Sequence, residues 1–160
     1  MSSSIPAAVT NLMALLKSAL PASTQISYGP VPGSNTNEIY LAPNTCFIYD
    51  VVGDQQPAEM GPNYRREETY SIYCEITAFE GDQDFLRTQQ SCFSMFSQVE
   101  IAIANNPWLS TSGQNDDTAA VRYAEVGNIH FSPQLTPKGQ SNGSLQFHVR
   151  CSQRINSLTA

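Results

Sequence analysis

Residues 68–79 read Glu68-Thr69-Tyr70-Ser71-Ile72-Tyr73-Cys74-Glu75-Ile76-Thr77-Ala78-Phe79. In an extended chain Tyr70, Ile72, Cys74, Ile76 and Ala78 share one face, and Thr69, Ser71, Tyr73, Glu75 and Thr77 share the other. Alternation over that length predicts a strand in a sheet with one covered face. The pattern breaks at Glu80-Gly81-Asp82, and the period then changes to a helical one. Phe85, Cys92, Phe96, Val99 and Ile103 form a stripe, with Leu86, Phe93 and Ile101 widening it. Asp82 or Asp84 can cap the helix start, and Asn105-Asn106-Pro107 stops it. A one-faced strand that feeds a one-striped helix through a tight turn buries both most simply when the helix folds back over the sheet.

Upstream, a helix is expected over 5–20. Ser4 is its cap, Pro6 sits in its first turn, and Val9, Leu12, Met13, Leu16 and Leu20 lie on one side. A short strand is expected at 24–28, followed by a Gly/Pro/Asn-rich loop over 29–37. The apolar run 46–52, broken only by Asp50, suits an inner strand. Residues 53–67 are rich in Gly, Pro, Gln and Asn and predict a long loop carrying the only adjacent arginines, Arg65-Arg66. Two readings of that loop stand side by side: a solvated hairpin tip, or a contact arm toward another subunit.

Downstream, Trp108 is the only tryptophan and is expected to plug the end of the core. A polar loop follows at 110–118. A strand over 119–131 slips phase, with Gly127 marking a bulge. After a turn-rich connection at 132–142, Leu145, Phe147, Val149 and Cys151 alternate with Gln146, His148, Arg150 and Ser152 in a final strand. Residues 155–160 read as a free tail. The sum is one α+β domain over 1–154: a two-layer sandwich, with a mostly antiparallel sheet of four to five strands covered on one face by two helices.

The 160 residues carry a net charge of −6, and the eight basic residues are scattered. That argues against a free-standing nucleic-acid binder, which needs a basic stripe to neutralise phosphates. It leaves room for a protein past which DNA slides unheld. No apolar run reaches membrane-spanning length. The apolar stretch near Leu12–Leu16 lacks a basic region before it and is interrupted by Asn11 and Lys17, so it reads as an amphipathic helix rather than a signal peptide. Cys46, Cys74, Cys92 and Cys151 form no Cys-x-x-Cys pair and read as small buried hydrophobes. The sequon Asn142-Gly143-Ser144 is read as a chance match within a turn.

No catalytic motif appears: no Gly-x-Ser-x-Gly elbow, no phosphate-cradling Gly-Lys loop, no His-Glu-x-x-His. His130 and His148 are expected to face solvent, and the acid pairs Glu67-Glu68 and Asp116-Asp117 to be solvated loop residues. The expectation is therefore a protein that is not an enzyme and needs no cofactor or metal.

Several short signals recur in one order along the chain. They are the N-terminal helix, Tyr28-Gly29-Pro30-Val31-Pro32, the apolar strand ending Val52-Gly53, and Arg66-Glu67-Glu68-Thr69-Tyr70. Gly81-Asp82, the long helix, Asn106-Pro107-Trp108-Leu109 and two closing strands complete it. From about Ile5 to Arg154 this pattern resembles the tail terminator proteins of long-tailed bacteriophages and their head–tail joining relatives. The resemblance implies a structural virion protein that assembles into a ring, typically a hexamer, on the head-proximal end of the tail tube. Its partners would be copies of itself, the tail tube protein and a neck or head-completion protein, with DNA passing through the channel without sequence-specific binding. Candidate subunit or tube contacts are Met60, Tyr64, Arg65 and Arg66 in the 53–67 stretch, and Tyr73, His148 and Arg150 on the polar sheet face. The alternatives are another neck component, such as a head-closure or adaptor protein, and a monomeric binding module that uses the 53–67 loop.

Overall fold

The strand read at 68–79 is the middle of the sheet. The computed structural model describes residues 3–29, 44–59, 65–81, 83–136 and 139–156, with only the backbone described at 57–59, 65 and 156. In chain order the elements are α1 (Ile5–Ala19), β1 (Gln25–Tyr28), β2 (Asn44–Glu59), β3 (Arg65–Phe79), α2 (Phe85–Asn105), β4 (Tyr123–Leu135) and β5 (Ser141–Asn156). The sheet order is β1-β2-β3-β5-β4. Only β1 pairs parallel with its neighbour; β2–β3, β3–β5 and β5–β4 are antiparallel.

Both helices lie on one face. Ala8, Leu12 and Leu16 of α1, and Cys92, Met95, Phe96, Val99 and Ile103 of α2, close over Tyr70, Ile72, Cys74, Ile76 and Ala78 of β3 and the inward residues of β5. Full burial of a side chain such as Leu12, Ile72 or Ile76 stabilises the domain by about 1.5–3 kcal/mol each. The layers leave no room for a side chain at Gly143 of β5. A Cβ there would lie 2.6 Å from Thr88 Cγ2, 3.0 Å from Phe131 Cε2 and 3.2 Å from Cys92 Sγ. The four cysteines are free thiols, all buried. Burial pushes the thiols of Cys46 and Cys151 up to about 12 and that of Cys92 to about 11.

The α+β sandwich is as expected, and several of its parts are corrected. Residues 53–59 and 65–67, read as loop, are paired strand: Asp54 opposes Thr69, Gln56 opposes Glu67 and Pro57 opposes Arg66. Their Gly, Pro and Gln content reflects a ribbon that projects beyond the helical layer and has little apolar surface to bury. Residues 155–156 continue β5, where Ile155 pairs with Arg66 and is buried, so they are not a free tail. Residues 132–135 and 141–142 extend the last hairpin rather than forming a loose connection. The apolar stripe of α2 is narrower than expected. Leu86 and Ile101 are exposed, whereas Thr88, a polar residue, is buried and donates to Ser141 Oγ at 2.9 Å.

Helix ends were partly legible. Asp84 Oδ1 accepts from the Arg87 amide at 3.1 Å and caps α2; Asp82 lies outside the described residues. Ser4 stands at the α1 N-cap position but makes no side-chain cap. The anion at that helix end is Glu68, read from sequence as solvated and here 1% exposed. Its carboxylate accepts from the Ser4 amide at 2.9 Å, Ser4 Oγ at 2.6 Å, Ser3 Oγ at 2.6 Å and Gln55 Nε2 at 2.8 Å. A carboxylate satisfies unpaired helix N–H groups and the positive end of the dipole more strongly than a hydroxyl does. Trp108 is half-buried. The plug is its neighbour Leu109, fully buried at φ 46, while the Trp108 carbonyl accepts the amides of Ala120 and Val121 at 3.1 Å. The loop expected at 29–37 lies, apart from Gly29, outside the described residues.

Candidate interface on the open sheet face

Period-two alternation puts the polar residues of every long strand on the face away from the helices. No described element covers that face. Strand register sets its residues in rows across β2, β3, β5 and β4: Phe47, Glu75, Gln146 and His130, then Asp50, Tyr73, His148 and Gly127, then Val52, Ser71, Arg150 and Glu125. A bulge between Ile48 and Asp50 brings Tyr49 to this face as well, its ring centroid 6.0 Å from that of Tyr73.

The rows are organised internally. Ser144 Oγ donates to Glu75 Oε1 at 2.5 Å, and Gln146 Nε2 reaches Glu75 Oε2 at 3.5 Å. The hydroxyls of Thr45 and Thr77 bond to one another. Aromatic side chains link along β2, Phe47 to Tyr49 at 6.4 Å, and then across the strands, Tyr49 to Tyr73 at 6.0 Å and Tyr73 edge-on to His148 at 5.7 Å. Such pairs add about 0.5–1.5 kcal/mol each beyond area burial. Arg150 and Glu125 approach to 3.7 Å with both side chains at least half exposed, so their pair contributes little.

His148 contradicts the expectation that it faces solvent. It is 4% exposed, roofed by Tyr73 and seated over Gly127, where a Cβ would approach Nε2 to 2.9 Å. The seat exists because β4 bulges between Gly127 and His130, with Asn128 at φ 50. Nδ1 is buried and has no hydrogen-bond partner among the described residues. Burial pulls the imidazole below its ordinary range, Arg150 adds to that, and Glu125 opposes it.

Of the contacts expected from sequence, Tyr73, His148 and Arg150 come together on this face. Arg66 falls on the opposite phase of β3 and is exposed, apart from the others. Arg65 pairs through its backbone with Glu59 and Asn156. Met60 and Tyr64 lie outside the described residues. Tyr49, Glu75, Gln146 and Ser144 were missed. For Glu75 and Gln146 the signal was available, since each shares the phase of Tyr73 or His148 on its own strand.

Elsewhere, a groove of about 460 Å³ lies between α1, the end of α2 and residues 110–113. It is lined by groups such as Asn11, Leu15, Asn105 and Ser110, with no titratable side chain among them. Among the described residues no cluster of His, Cys, Asp and Glu is placed to hold a metal ion, and no helix is long and apolar enough to cross a membrane. The sequence matches no known family model and no curated protein.

Proposed function

We propose that this chain is a structural subunit of a phage particle, a tail terminator that closes into a ring on the head-proximal end of the tail tube. In that place it ends tube growth, joins the tail to the neck and leaves a channel for DNA. The observation that carries the reading is the uncovered sheet face, ordered side chain against side chain across four strands but roofed by nothing. A small domain that leaves its best-organised polar and aromatic surface open has a use for it outside its own core.

Two further features support a ring. The sheet ends in unlike strands, β1 on one side and β4 on the other, so the two flanks of a subunit differ. Head-to-tail closure requires that difference. The β4 flank is also apolar: Phe93 of α2 meets Phe131 at 6.0 Å, and Leu86 and Leu135 are exposed. The scattered basic residues and net charge of −6 suit a channel that lets DNA pass without holding it.

The test is a deletion of the gene in its phage. Tails of irregular, excessive length that fail to join heads are expected, together with the chain's presence in wild-type virions by mass spectrometry. Normal joined tails in the deletion strain would end the reading.

A further inference from the structure

We infer that His148 is a proton-operated latch on the open sheet face. Neutral, its ring stays clamped between Tyr73 and Gly127; protonated, it leaves that seat and loosens the β4 bulge while the rest of the sheet stays folded. The seat has no place for a second proton. Nδ1 is buried and has no hydrogen-bond partner among the described residues. In the neutral ring the proton can sit on Nε2, which leaves Nδ1 only an unpaired acceptor. The imidazolium carries N–H on both nitrogens. Its Nδ1–H would be a buried donor with no acceptor, and its charge would be buried with it.

The groups around the ring offer no counter-charge in the seat. On its own strand Gln146 is neutral and Arg150 repels a cation. On β4, Glu125 attracts one but is held beside Arg150 at 3.7 Å, and His130 stands beyond the bulge, opposite Gln146. On β3, Tyr73 is the roof, and the next outward residue, Glu75, accepts from Ser144 Oγ. On β2, Tyr49 and Asp50 lie past Tyr73, and Asp50 Oδ1 accepts from the Val51 amide at 2.9 Å. Burial and Arg150 accordingly hold the imidazole below its ordinary range. A ring turned out to solvent escapes both the burial and the stranded donor.

The change is local because the ring belongs to the open face. The register of β3 with β5 runs unbroken from Arg65–Asn156 to Phe79–Asn142, and the core lies on the other side of the sheet. The register of β4 with β5 breaks between Gly127 and His130. That leaves Asn128, at φ 50, and half-exposed Ile129 without ladder partners. The His148 ring closes directly on Gly127 at the start of this break. When the ring departs, the bulge loses that packing and Tyr73 loses its edge-on neighbour. The latch is a property of the chain alone and does not depend on the tail reading.

The experiment is NMR on the purified chain from pH 8 to pH 5. Contacts between the Tyr73 and His148 rings should vanish as His148 titrates. Over the same range the amides of Asn128 and Ile129 should exchange about tenfold or more faster than intrinsic chemistry allows for, while those of Ile72, Ile76 and Val149 hold. His148→Gln should show no such step. Arg150→Gln, at an exposed position, should move the step to higher pH, and it decides the matter if His148→Gln fails to fold. An imidazole that takes up its proton with the Tyr73 contact intact overturns the inference. So does a loosening that spreads equally through β3 and β5, a step that persists in His148→Gln, or a midpoint unmoved in Arg150→Gln.

Discussion

Replacing Glu68 with Gln should loosen the seam between α1 and the sheet. The carboxylate accepts four hydrogen bonds, two at each oxygen: Ser3 Oγ and Gln55 Nε2 at Oε1, and the Ser4 amide and hydroxyl at Oε2. A glutamine carbonyl at the Oε2 position keeps the Ser4 bonds. Its NH₂ group then faces Ser3 and Gln55, whose hydroxyl and amide can turn to accept. What is lost is the charge: about 1 kcal/mol per bond separates charged from neutral acceptors, partly recovered by that turning. The helix-end attraction, about 0.3–1 kcal/mol, goes with it. The net cost is about 2 kcal/mol, a fall in Tm of about 4–8 °C for a domain of this size. Glu68→Ala strands the Ser4 amide and Gln55 and should cost about 3–4 kcal/mol.

Burial pushes the Glu68 carboxyl up, but the hydrogen bonds from Ser3, Ser4 and Gln55 outweigh it and hold the group below the usual carboxylate range. Its contribution to stability is therefore complete above the unfolded-state value of about 4.3. It is lost as pH falls through the folded-state value. Urea melts of wild type and both variants from pH 3 to 7 measure both effects. Hydrogen exchange at the first amides of α1 localises them. Variants within about 0.5 kcal/mol of wild type, smaller than any bond counted here, would refute the reasoning. So would a Glu68→Gln protein that keeps the full acid sensitivity of wild type.

Gly143→Ala forces a methyl group against Thr88 and Cys92 where α2 crosses β5, and should destabilise by about 1–3 kcal/mol in a thermal melt; an unchanged Tm would mean the layers are free to separate. His148 binds a proton less readily folded than unfolded, because burial and then Arg150 depress it. Stability from its neutral form is complete above about pH 6.5 and falls as pH drops toward the depressed folded-state value. Among the groups around it only Glu125 opposes that shift. Proton NMR titration of His148 should show the depression, and His148→Phe should remove that part of the pH dependence. The four thiols should resist a disulfide reagent at pH 8 in the native protein and react together in urea, since all are buried; rapid reaction of any one in buffer would contradict its burial.

Hydrophobic period and its breaks along the chain set the elements in order. The inward run from Tyr70 to Ala78, the stripe through Cys92, Phe96, Val99 and Ile103, and the bulge at Gly127 all follow from hydrophobic spacing and backbone chemistry, which act within a few residues. The ribbon at 53–59 and 65–67 did not follow. Its residues lack strand character, and their pairing is imposed by the register that β2, β3 and β5 share further along. Glu68 stood on the inward phase of β3, so its burial was legible, but its partners Ser3, Ser4 and Gln55 were not. His148 stood on the outward phase and is buried all the same, because Tyr73 and the Gly127 bulge come from two other strands. Local chemistry determined which residues point inward. Only the tertiary structure decided which outward ones meet, because neighbours on a sheet face come from strands distant in the chain.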